Sequence, residues 1–147
     1  MITVVLILLT IWVVFNLLAG WAPLLLADRI SPGRLPVWAW GKGVSVRYYV
    51  GENVRSYAFN VWAPPFTAVV FDREFFTHAG PDLFRFVVAH ELGHARMHHH
   101  IHRWLAVVSG LALLPSIRKR LSQQEVLADE FAERLTGFPK SMFPQLK

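Results

Sequence analysis

The chain has no cysteine among its 147 residues, which excludes disulfides and thiolate metal ligands and leaves the redox compartment undecided. It also has no charged side chain before Asp28: the run from Ile2 to Ala27 reads ITVVLILLTIWVVFNLLAGWAPLLLA. A helix needs roughly 20 apolar residues to cross a bilayer, and this run exceeds that. No Lys or Arg precedes it and no clear small-x-small site follows it, so the signature of a cleaved signal peptide is missing. Residues 1–27 are therefore expected to form a transmembrane anchor. Acidic side chains are also scarce, 10 against 15 Lys and Arg, for a formal charge of +5. The basic residues are dispersed, with only Arg118, Lys119 and Arg120 adjacent, and no interleaved aromatic-basic module is present. A nucleic-acid partner is not expected, and attraction to anionic lipid accounts for the charge. Arg29, Arg34, Lys42 and Arg47 follow the apolar run, and only the terminal amine precedes it. By the positive-inside rule, the remainder of the chain is expected in the cytoplasm.

There is no internal repeat or low-complexity tract, and the length suits one small domain. Residues 28–43, rich in Pro, Gly and Trp, read as a juxtamembrane linker whose Trp38 and Trp40 would rest among the headgroups. Three β-like runs follow at 44–50, 55–62 and 66–71, separated by Gly51 to Asn53 and by Pro64-Pro65. They predict a small, mostly antiparallel sheet. From Asp82 the period becomes helical, with Leu83, Val87, His90, His94 and Met97 on one face and Pro81 near the start. One long helix is expected to carry the histidines beyond it. Residues 104–117 are apolar but too short to span a bilayer alone, which points to a buried or interfacial helical arm. Ser122 and Glu125 have capping-box spacing, predicting a last helix from there to about Leu135, stopped by Gly137 and Pro139. The fold class is thus α+β, with a domain over 44–147.

Five of the seven histidines lie in VVAHELGHARMHHH, residues 87–100. His90-Glu91-Leu92-Gly93-His94 is an HExxH pattern. Two histidines four apart on a helix share a face and can reach one zinc ion, while Glu91 can act as general base towards a water activated by that metal. A third ligand is needed. On an unbroken helix His98 lies about 12 Å up the axis from His90, which leaves it about 9 Å beyond a zinc on the pair. His100 has the register of the HExxHxxGxxH pattern, but Met97 stands where that pattern breaks the helix at glycine. Glu125 and Asp129, four apart in EVLADEFA beside the small Ala128, suit better. Glu125 would complete a His, His, Glu site, and Asp129 would orient an imidazole through its second nitrogen.

LFRFVVAHELGHARMHH followed by SQQEVLADEFAERLTG resembles the M48 family of gluzincin metallopeptidases, at His90, Glu91, His94, His99, Glu125, Asp129, Ala132 and Leu135. The stretch 46–76 is similar to that family's strands before the active helix, and the resemblance covers roughly residues 44–137. It implies a minimal zincin-like domain, zinc on His90, His94 and Glu125, Glu91 as base, and Asp129 and His99 in support. It further implies a membrane-anchored zinc endopeptidase that acts on proteins or peptides, with the strand 66–71 as the edge that receives an extended substrate. The family's oxyanion-stabilising segment has no counterpart, leaving Tyr48, Tyr57, His78 and His99 as candidates. That gap keeps a second reading open, a zincin scaffold that binds without turnover as an adaptor. A third is the similar M78 group of gluzincins, which also joins HELGH to a carboxylate helix. Substrate identity and oligomeric state are not encoded in any of these motifs.

Overall fold

A computed structural model describes residues 2–40, 45–52, 54 and 56–146, without the side chains of Pro32 and Trp40. Lys42, Val44, Asn53, Arg55 and the Trp40 side chain, which entered the sequence reading, lie outside the described residues.

The first helix, α1 (Ile2–Leu25), is long and apolar enough to cross a membrane. Every residue from Ile2 to Trp12 is exposed. Its second half packs on the rest of the chain. Gly20 lies so close to the backbone that a Cβ there would fall 2.4 Å from the Trp62 carbonyl oxygen, so only glycine permits this approach. Trp21 meets Phe66 edge to face at 5.2 Å, and Leu24 is buried beside them. Past α1, Asp28–Arg29 form a short strand, β1, and Ile30, Leu35 and Ala39 enter the main core. The stretch expected as a linker therefore contributes a strand and three core side chains.

The sheet contains β1, β2 (Val46–Gly51), β3 (Ala58–Ala63) and β4 (Phe66–Asp72) in the order β1-β2-β4-β3. It is mixed: β1 with β2 and β3 with β4 are antiparallel, but β2 runs parallel to β4. The physical reason lies in FTAVVF, where Phe66 to Phe71 are all buried. A strand buried on both faces reads as a continuous apolar run, and it takes the central position. β4 thus separates β2 from β3, which are joined by a crossover and not a hairpin. This overturns one expectation: strand 66–71 is paired on both sides and is not an edge. The edge strands are the two-residue β1 and the longer β3.

The two faces of the sheet follow the strand alternation. Tyr48, Ala58, Val69 and Phe71 face a core shared with helices; Tyr49, Phe66, Ala68 and Val70 face the end of α1. Asp72 caps the short α2 (Arg73–His78) by accepting from the Phe75 N–H at 3.0 Å. Next comes α3 (Pro81–Arg96), with Pro81 in its first turn, where a missing N–H costs nothing.

The single long helix expected through the histidines is in fact two. α3 ends at Met97, His98 adopts a left-handed conformation with φ 55°, and α4 (His99–Val108) begins afresh. The break falls at a residue type that tolerates this region better than most non-glycines. It turns His99 back towards His94 and lets His100 Nε2 meet Thr67 Oγ1 at 2.8 Å on β4, a bond that ties α4 to the sheet. The last helix, α5 (Pro115–Thr136), starts at Pro115, seven residues before the capping box foresaw. Ser122 therefore lies inside it, its hydroxyl donating to the Lys119 carbonyl. Gly137, at φ 77°, closes α5 as expected.

Burial lowers the His100 pKa from 6.5 to about 4, so the folded state favours the neutral ring. Its contribution to stability is complete above pH 6.5 and is lost as pH falls through 4. Melting of the metal-free chain in detergent should accordingly fall more steeply between pH 6.5 and 4 for the wild type than for His100→Gln. Parallel curves would show that His100 carries no such linkage.

Candidate metal centre

His90 and His94, one turn apart on α3, present Nε2 atoms 3.0 Å from each other. Glu125 on α5 brings Oε2 to 3.4 Å from His90 Nε2 and 3.6 Å from His94 Nε2. Among the described residues this is the one cluster of three metal-ligating side chains. Four ligands around zinc at bonds of about 2.0–2.1 Å sit roughly 3.3 Å apart along the tetrahedral edges, so the three donors already have near-ligand spacing. The donor set fits zinc.

The outer nitrogens decide which atoms face inward. His90 Nδ1 lies 2.9 Å from Asp129 Oδ1, an acceptor-only group, so Nδ1 carries the proton and Nε2 points at the cluster. His94 Nδ1 is 2.9 Å from His99 Nδ1. A proton on His94 Nδ1, accepted by neutral His99, leaves His94 Nε2 free to ligate. Burial, with His94 and Arg103 adding to it, lowers the His99 pKa to about 4 and keeps that ring neutral. Burial would also depress His90, but the carboxylates of Asp129 and Glu125 outweigh it and raise its pKa to about 9. Contacts with His90, His94 and Arg103 hold the Glu125 carboxyl well below the usual carboxylate range. Burial alone would raise Asp129; His90 and Lys140, whose Nζ is 2.6 Å from Oδ2, overcome this and hold it low.

Glu91 is only 7 % exposed and lies beside the cluster. Asn60 on β3 donates from Nδ2 to both the Glu91 carbonyl, at 2.9 Å, and its carboxylate. That amide fixes the carboxylate between the edge strand and the His90, His94 and Glu125 cluster.

Residues 45–144 match the family model described as peptidase family M48. The chain belongs to that family. M48 is a family of metallopeptidases, and the match favours it over the M78 resemblance. Among curated proteins none matches the chain.

In this M48 chain the cluster opens on a cleft of about 1120 Å³, bordered by Ala58, Phe59 and Asn60 on one side and by Glu125, Asp129 and Lys140 on the other. The oxyanion candidates separate clearly. Tyr48 is fully buried with its hydroxyl on the Ala39 carbonyl, His78 is exposed on α2, and His99 stands behind His94. Only Tyr57 lines the cleft, its hydroxyl donating to the Gln145 carbonyl at 3.3 Å.

Sequence reasoning missed Asn60, Arg103 and Lys140. Asn60 had a legible signal, a polar residue in the same strand phase as buried Ala58. Arg103 bonds the Glu125 carboxylate and, through Nε, Gln124 at 3.1 Å, but only the break at His98 brings α4 there. Lys140 depends on the turn after α5 and had no sequence signal.

Supporting groups of this kind are worth about 10- to 100-fold in metal affinity. Asp129→Asn should weaken zinc binding by about that factor in a competition titration, and Lys140→Ala by less. Unchanged affinity in Asp129→Asn would remove Asp129 from the site.

Proposed function

We propose that this M48 member is a membrane-anchored zinc endopeptidase whose catalytic domain lies on the cytoplasmic side. The observation that carries the reading is the convergence of His90 Nε2, His94 Nε2 and Glu125 Oε2 beside Glu91, in a cleft walled by a free strand edge. A zinc ion held by those three would supply Lewis acidity, which acidifies water and polarises a carbonyl.

The chain's own groups supply the rest. Glu91, steadied by Asn60, takes the proton of the attacking water and delivers it to the departing amine. The edge of β3 over Ala58 to Asn60 binds the peptide in extended form through main-chain hydrogen bonds, with backbone recognition favouring broad sequence tolerance. The contact of Gly20 with the Trp62 carbonyl closes the far end of that edge. Of the oxyanion candidates, Tyr57 is the one on the cleft wall, where its hydroxyl would have to leave the Gln145 carbonyl to meet the developing charge. Arg103 holds one Glu125 oxygen so that the other faces the histidines. The length and apolarity of α1 support anchoring, and Arg29, Arg34 and Arg47 after it support the cytoplasmic side.

Metal analysis and cleavage of an unfolded test protein by purified full chain would separate the roles. Glu91→Gln should keep zinc and lose cleavage by at least about 10²-fold, and Glu125→Ala should lose zinc affinity. Cleavage surviving Glu91→Gln would refute the mechanism; stoichiometric zinc with no wild-type cleavage would instead support a non-catalytic scaffold.

A further inference from the structure

The end of the domain formed by the last turns of α4, the bend after it and the first turn of α5 is apolar and uncovered. Leu105, Val107, Leu111, Leu113 and Leu114 are all exposed, Leu113 at 74 %. This tip is continuous with α1. Trp12 Nε1 donates to the Val108 carbonyl at 3.0 Å, and Trp104 Nε1 to the Asn16 carbonyl at 3.4 Å.

Those two contacts set the depth of the tip, given the reading of α1 as a span. Gly20 and Leu24 are buried against the domain, so hydrocarbon begins at about Ala19. At 1.5 Å per residue, Trp12 then lies roughly 10 Å inside, and Val108 beside it. The remaining length of α1, Ile2 to Ala19, covers about 27 Å, close to the thickness of a bilayer core. At that depth polar groups must be satisfied within the protein. Three side chains place their donors so: Asn16 Nδ2 on Trp12 O, Ser109 Oγ on Leu105 O, and Thr10 Oγ1 on Leu6 O. Immediately above the tip, Arg118, Lys119 and Arg120 are exposed on α5, the chain's one basic run.

We propose that residues 105–114 form a second membrane-inserting element, seated in the leaflet beside α1, with Arg118, Lys119 and Arg120 on the phosphates of anionic lipid. The tip does not cross the bilayer. α5 carries Glu125 about 15 Å from Pro115, so the insertion holds the cleft close to the membrane surface.

Because the chain has no cysteine, single-site labelling tests this directly. Full chain carrying Leu9→Cys, Leu113→Cys or Glu130→Cys, labelled with nitrobenzoxadiazole, is reconstituted into phosphatidylcholine and phosphatidylglycerol vesicles. Nitroxide-bearing acyl chains should quench the labels at positions 9 and 113 several-fold more than at 130, and aqueous iodide should quench only the label at 130. Iodide quenching at 113 with a lipid-quenched label at 9 overturns the tip while leaving the anchor intact. An iodide-quenched label at 9 overturns the anchor, and the tip with it. A label at 113 shielded from both quenchers means a protein partner covers the tip, and overturns the proposal. Neutralising Arg118, Lys119 and Arg120 to Gln should make the label at 113 shallower; an unchanged depth overturns the headgroup contact.

Discussion

The close approach of α3 to α5 is the constraint on which the site depends. Glu125 stands far from HExxH in sequence, and its carboxylate reaches the histidines only where two helix backbones come unusually near. The side chains between them are correspondingly small. Ala89, Ala128 and Ala132 are completely buried, and a Cβ on Gly93 would fall 3.0 Å from the Phe131 ring. The glycine of HELGH therefore serves packing while its neighbours serve chemistry. Phe86 and Phe143 fill the adjacent space with rings 5.1 Å apart, so that tail residues hold the helix pair from outside.

Charge balance around the ligands follows from this packing. Two carboxylates brought beside two imidazoles would repel without cations, and each has one: Arg103 for Glu125 and Lys140 for Asp129. The cations come from elements before and after α5, so the electrostatic balance of the site is assembled from three separate parts of the chain. Asn60 adds a fourth by tying the Glu91 carboxylate and carbonyl to the edge strand. Under the proposed function, this network would hold the His90, His94 and Glu125 side chains in place and lower the reorganisation that zinc binding requires.

The features legible in the sequence were those set by local periodicity. HExxH on one helical face, the Glu125 and Asp129 pair, the Pro64-Pro65 hairpin and the Gly137 stop all depend on spacing within a few residues. The features that escaped depend on tertiary choice. A fully apolar FTAVVF can sit at an edge or in the centre, and only the whole sheet decides; here it took the centre and left β3 at an edge. The helix break needed a left-handed His98, a conformation no local rule demands and one stabilised by the His99 and His100 contacts it permits. Pro115 falls inside the 104–117 run expected as one apolar arm, but proline is well suited to a first helical turn, and the last helix begins there, earlier than its capping box implies.

The central claim is that one metal is held by two imidazoles and a carboxylate, with His98, His99, His100 and His102 left out. Zinc-edge X-ray absorption of the zinc-loaded full chain tests it most directly. The account predicts a nitrogen and oxygen shell at about 2.0–2.1 Å whose outer-shell scattering fits two imidazoles and no more. Three or four imidazoles per zinc would mean that the histidine run takes the metal, and would contradict the site described here.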